Sequence, residues 1–161
     1  MLNGPTDILA RVTAFVTGGA GFLLAVLWFD LMFDVQVLSH RERDLPEGVL
    51  ASISGYYRRV TTAARPMNRL VAAAMIATIV AVGVQLGRGD APRWVGWASL
   101  VLAASPVLLA AVHTFPSAAR LGARADTVER QSRFARSICR DHLLCLAAIT
   151  SLLVVQLVFA R

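Results

Sequence analysis

Apolar residues gather in four blocks along the chain, at roughly 12–33, 67–86, 94–115 and 138–160, and the charged positions fall mostly between them. Each block holds about 20 residues, the length an α-helix needs to cross a hydrocarbon core about 30 Å thick. None shows the apolar–polar alternation of a barrel strand. No water reaches backbone N–H and C=O groups inside a bilayer, so the blocks predict α-helices, which satisfy their own. The expected fold is all-α, with a single transmembrane domain over 1–161. It is an integral membrane four-helix bundle in up-down-up-down order.

The connecting segments carry patterns of their own. In "DLPEGVLASISGYYRRV", Asp44 is placed as an N-cap, with Glu47 at capping-box spacing. Val49, Leu50, Ile53, Tyr56, Tyr57 and Val60 then recur at helical spacing. This predicts a cytoplasmic amphipathic helix, either lying on the inner leaflet with Arg58 and Arg59 toward the headgroups or packed over the mouth of the bundle. Pro66 separates it from the second span. "GRGDAPR" is a short turn. A third loop begins after Pro116, and "TVERQSRFARSICRDHLLC", capped by Thr127 or Asp126, reads as helix running on into the fourth block. A helix over 127–160 would be about 50 Å long. Its first third therefore projects from the membrane, turning Arg130, Arg133 and Arg136 to lipid phosphates or a partner.

Composition sharpens the class. The 161 residues are 57% hydrophobic and only 16% charged, and the mean hydropathy is +0.61, which excludes an ordinary soluble domain. All 16 basic residues are arginine, which with abundant alanine, valine and glycine points to a GC-rich bacterial genome. The net charge of +6 reflects topology and anionic headgroups in such a chain, with no nucleic-acid partner expected. Arg41, Arg43, Arg58, Arg59, Arg65 and Arg69 flank the first connection, and Arg120, Arg124, Arg130, Arg133, Arg136 and Arg140 the third. Arg11, Arg88, Arg93 and Arg161 lie on the other side. Positive loops stay inside, so both termini face the periplasm or exterior of an inner-membrane protein. The start, "MLNGPTDILARVTAFVTGG", is weakly basic and lacks the form of a cleavable leader, so the first block is read as a retained helix.

Membrane helices need close approach to associate. In the first span, the rows Thr17, Gly21, Ala25 and Ala14, Gly18 are expected to pack against a neighbouring span, with a homodimer face as the alternative. Pro106 predicts a kink in the third span. Cys139 and Cys145 share one helix and point in different directions, which argues against a mutual disulfide.

The candidate chemistry sits at the cytoplasmic ends. Asp30 and Asp34 interrupt the first span four residues apart, so they share a helix face. The topology brings Arg69, His113, Asp141 and His142 to the same level, with His40 and Arg140 nearby. Ionised groups in a membrane face the bundle interior and find partners, so the first reading is a polar cluster that fixes helix register. A second reading is a divalent metal held by Asp30, Asp34, His113 and His142. A third is a haem between His113 and His142. Cys139, His142 and Cys145 fan too widely around a helix to hold one metal. No nucleophile–base pair and no phosphate-binding glycine loop is present. The few polar residues deep in the spans argue against an ion-coupled carrier.

The layout resembles the anthrone-oxygenase-like family of small four-helix bacterial membrane proteins. The features are the glycine-rich first span, the arginine-bearing loop with Pro66 before the second, Pro116 opening "PSAARL", and the polar "ARSICRDHLLC" leading into the last span. The resemblance implies an oxygenase-like role, with His113 and His142 as acid/base or metal groups. Two functions follow from the sequence. The preferred one is a non-catalytic membrane subunit or scaffold whose arginine-rich face docks anionic lipid, a membrane-complex partner or a second copy. The other is a small membrane oxidoreductase or oxygenase using the His/Asp cluster.

Overall fold

The computed structural model describes residues 5–89 and 91–160; Asp90 of the second turn and Arg161 lie outside them. The described residues form six α-helices and no strand. They are α1 (Pro5–Asp34), α2 (Glu47–Thr62), α3 (Arg65–Arg88), α4 (Arg93–Leu109), α5 (Phe115–Ala123) and α6 (Val128–Phe159). A 3₁₀ turn (Val35–Ser39) prolongs α1, and a π-helical turn (Ala110–Thr114) joins α4 to α5. Four helical stretches, Arg11–Ser39, Pro66–Arg88, Arg93–Ala123 and Val128–Phe159, are long and apolar enough to cross a membrane.

These four stand in a ring: α1 packs on α3 and α6, and α4 packs on the same two. Phe15, Ile76, Val101, Leu108 and Leu144 face outward, an apolar exterior suited to lipid. Val16, Leu23, Val82, Ala103, Ile149 and Leu152 fill the interior. A second core lies at one end, where Leu50, Ile53 and Tyr57 of α2 meet Leu121 of α5 and Ile138 of α6. The first part of α6 therefore does not project bare; α2 and α5 clad it.

The inward stripe of α1 runs through Val16, Ala20, Leu23, Leu31 and Asp34. This overturns the packing of the expected small-residue rows against a neighbouring span. Ala14, Gly18, Gly21 and Ala25 are exposed, and a Cβ added at Gly18 or Gly21 would meet nothing within 4 Å. The tight approach is at Gly19, where an added Cβ would lie 2.2 Å from Thr78 Oγ1 of α3. The rotation that buries Asp34 turns Gly18 and Gly21 outward together with the large Phe15, Trp28 and Phe29.

The third span also outruns its expected end, because the helix continues through Pro116 to Ala123. The π turn explains this. The Phe115 N–H reaches the Ala110 carbonyl five residues back, and the widened turn makes room for a proline that would break a tighter helix. At the start of α2, Pro46 rather than Asp44 is the cap residue, and no side chain caps the helix. The preceding Leu45 is buried and donates its N–H to Ser132 Oγ of α6 at 2.9 Å, which draws Asp44 away from the helix end. Thr127 caps α6, accepting from the Arg130 N–H.

Candidate functional site

Counting back from Asp34 along the buried stripe of α1 reaches Asp30, so both acids turn inward. Asp34 is fully buried and has two partners. Its Oδ2 accepts from His142 Nδ1 of α6 at 2.6 Å, and its Oδ1 accepts from the Tyr57 hydroxyl of α2 at 2.6 Å. Asp30 Oδ1 accepts from the Tyr56 hydroxyl at 2.5 Å. Its other oxygen, Oδ2, stands 4.0 Å from His142 Nε2. The Tyr56 ring stacks on Phe33 with centroids 4.2 Å apart. Burial first, and then the adjacent carboxylates, push both phenols far above the ordinary tyrosine value. They therefore remain neutral hydrogen-bond donors.

A second pair lies on the other side of α6. His113 Nδ1, on the π turn, is 2.5 Å from Asp141 Oδ2, and Thr114 Oγ1 donates to the same oxygen at 3.1 Å. Asp141 is 2% exposed, whereas His113 is 44% exposed. Adjacent residues of α6 thus serve opposite neighbours: His142 pairs with α1, and Asp141 with the π turn.

The expected cluster is therefore divided. Asp30, Asp34 and His142 meet; His113 and Asp141 form a separate pair. Arg69 joins neither. It is exposed and makes no hydrogen bond or ion pair among the described residues, because Val71, Ala74 and Met75 turn to the core and Arg69 sits about 200° around the helix from Val71. His40 lies beyond the 3₁₀ turn, 3.9 Å from Glu42, and Arg140 is exposed. Among the outward arginines, Arg58, Arg59 and Arg133 are exposed, and Arg130 pairs with Asp126 at 3.2 Å. Arg136 faces inward instead, donating to the carbonyls of His40 at 2.9 Å and of Glu42.

The four residues proposed as metal ligands do not fit a single ion. Asp34 spends both oxygens on Tyr57 and His142, and His113 belongs to the separate pair with Asp141. Among the described residues, no three His, Cys, Asp or Glu side chains are grouped to hold a metal. A haem between His113 and His142 meets a similar objection, since only His142 lines the cavity beside the site.

That cavity is about 600 Å³ in volume. Its walls are apolar, with Leu27, Val71, Met75, Val107 and Ile149 among them. Asp30, Tyr56, Tyr57, Thr114 and His142 form a polar end, over which α2 lies. The exposed members of its lining include Met67 and Ala72 of α3 and Ala111 and Phe115 at the π turn. They place the mouth on the side of the bundle, where α3 parts from the third span.

Tyr56, Tyr57 and Thr114 escaped the sequence reading. The two tyrosines recur at helical spacing and passed as part of an apolar face. The usable signal was chemical: a buried tyrosine needs a partner for its hydroxyl, and two adjacent tyrosines faced two unmatched aspartates. No family model matches the chain, and neither does any curated protein or solved structure.

Proposed function

We propose that this is a small bacterial inner-membrane protein that takes a lipid-soluble molecule from the bilayer into its lateral cavity. There it holds the polar end of the molecule against Asp30 and His142. The carrying observation is the cavity itself: about 600 Å³ of apolar space with its ionisable groups confined to one end. Pockets of this size and composition hold small ligands. An imidazole oriented by a buried carboxylate is equipped for acid–base work. Of the two roles expected from the sequence, this favours the small-molecule site, and the resemblance to the anthrone-oxygenase-like family belongs to the same proposal.

The proposal includes the up-down-up-down course of the spans, with α2 as a cytoplasmic amphipathic helix and both termini outside. The arginine distribution supports this orientation. A reporter fused after residue 160 is expected to be active only in the periplasm; activity in the cytoplasm overturns the orientation.

The pocket is tested with a lipid-soluble phenyl diazirine photolysed in membranes containing the protein. Labelling is expected at cavity residues Val71, Met75 and Cys145, as well as at outward-facing Ile76 and Val80, with Val71→Trp suppressing the cavity set alone. Labelling confined to Ile76 and Val80 overturns the reading. A second role is supported by Arg58 and Arg59, which are exposed and whose guanidinium groups make no hydrogen bond among the described residues: contact with anionic lipid at the cytoplasmic face, where each such charge contributes about 1 kcal/mol.

A further inference from the structure

We infer that the bundle binds an ordered water at the end opposite the Asp30–His142 site, in a polar layer to which each of the four spans gives one residue. Helix register sets the layer. Val16, Val82, Ala103 and Leu152, one from each span, are buried together in the core. Thr13, Gln85, Ser99 and Gln156 stand one helical turn further toward that end, three or four residues along on the same inward faces. Gln85, Ser99 and Gln156 are at most 1% exposed.

The hydrogen bonds of this layer do not close. Gln156 Nε2 uses both of its N–H bonds, donating to Gln85 Oε1 at 3.0 Å and to Ser99 Oγ at 2.8 Å. Gln85 Nε2, Gln156 Oε1 and Thr13 Oγ1 are left buried without a partner among the described residues. Among those residues only Gln131 Oε1, near the start of α6, shares that condition. Exchanging N and O on both amides does not cure it. Gln85 Nε2 and the Ser99 hydroxyl would then donate to Gln156 Oε1, and Gln85 Oε1 and Gln156 Nε2 would be left over. Either way the layer offers a ligand one amide N–H group, one amide carbonyl and one hydroxyl.

That set selects water. Unpaired polar groups are costly at membrane depth, and a buried water typically makes about three hydrogen bonds to such groups. One water accepts from Gln85 Nε2 and donates to Gln156 Oε1 and Thr13 Oγ1. A cation would face the amide N–H, an anion would face the carbonyl oxygen, and an apolar group would satisfy none of the three. The way in is short, since Gln85 and Gln156 each lie three residues from the last residue of their helix, about 5 Å along the axis. The way onward is shut. In every span the apolar layer stands between the polar residue and the nearest wall of the cavity, at Leu23, Met75, Pro106 and Ile149. The site is a dead end, and it does not depend on the pocket reading.

The test is proton-detected solid-state NMR of isotopically labelled protein in deuterated lipid bilayers, reading magnetisation transferred from water. Transfer is expected to the side-chain amides of Gln85 and Gln156, and not to the backbone amides of Val82 and Leu152. A double variant, Thr13→Val with Gln85→Leu, removes two of the three partners and is expected to lose most of the transfer to the Gln156 amide. A wild-type protein in which neither glutamine amide receives magnetisation overturns the inference. Transfer that also reaches Val82 and Leu152 overturns the dead-end site in favour of a water-filled bundle. Undiminished transfer to Gln156 in the double variant overturns the assignment of the partners. The wild-type measurements decide the matter even if the double variant fails to fold.

Discussion

Asp34 is fully buried and makes two side-chain hydrogen bonds. Removing one donor leaves a buried carboxylate short of a hydrogen bond, so Tyr57→Phe is expected to lower stability by about 1–3 kcal/mol. Asp34→Ala strands His142 and the Tyr57 hydroxyl together, and about 3–5 kcal/mol is expected. Denaturation in mixed micelles ranks the two, and an Asp34→Ala protein as stable as Tyr57→Phe contradicts the pairing. The presence of acids and histidines near one end of the bundle was legible, because they interrupt otherwise apolar stretches. Their partners were not. His142 and Asp34 are 108 residues apart, and nothing local tells which way either helix is turned. Arg69, the obvious cation, was on the wrong face of its helix, and the neutral tyrosines took the place expected for it.

The first span shows how a helix chooses its face. "TGGAG" offers small residues on every side, and the sequence alone could not select a row. Size does not decide, since Phe15, Trp28 and Phe29 face outward; turning Asp34 inward to Tyr57 and His142 fixes the rotation, and Gly19 then falls against α3. Gly19→Ala is expected to destabilise, because its methyl would meet Thr78 Oγ1 at 2.2 Å, whereas Thr78 Cβ lies 3.4 Å away. Adding Thr78→Ala should therefore recover much of the loss, a coupling that a double-mutant cycle reads directly. Gly21→Ala faces open space and should be neutral or stabilising by up to about 1 kcal/mol. At the α2–α5 crossing, a Cβ on Gly122 would lie 2.8 Å from the Arg58 backbone nitrogen. Backbone cannot rotate aside, so Gly122→Ala should lift α2 and cost about 1–3 kcal/mol. Increased protease cleavage within residues 47–62 is the measurement.

Across the whole molecule, the spans were the legible part and the cavity was not. Blocks of about 20 apolar residues announce membrane helices by length alone. A cavity arises where helices part, and that depends on the π turn, which has no signature in the hydropathy pattern, and on α2 closing one end, which its apolar spacing offered only as one of two placements. The closure is held partly by Arg124 Nη2, which donates to Glu47 Oε2 at 2.8 Å between α5 and α2. That hydrogen bond holds the Glu47 carboxyl below its ordinary value. A depressed carboxylate contributes its stabilisation in full above the unfolded value, near 4.5, and loses it as pH falls through the lower folded value. The pair is exposed, so the effect is expected to be small and weakened by salt. Glu47→Gln should flatten the acid limb of a stability–pH profile; an unchanged limb places the acid sensitivity elsewhere.

The neighbouring pair Asp141 and His142 works like a spline on a shaft. Consecutive side chains leave a helix about 100° apart, and here one engages the π turn while the other engages the first span. Turning α6 on its own axis in either direction disengages both at once, so its angular setting is locked even where its apolar surface would slide freely against lipid. Inserting one alanine between Ser137 and Ile138 would turn the preceding residues about 100° against this lock, so Ser132 and Ala135 could not stay buried while both couplings hold.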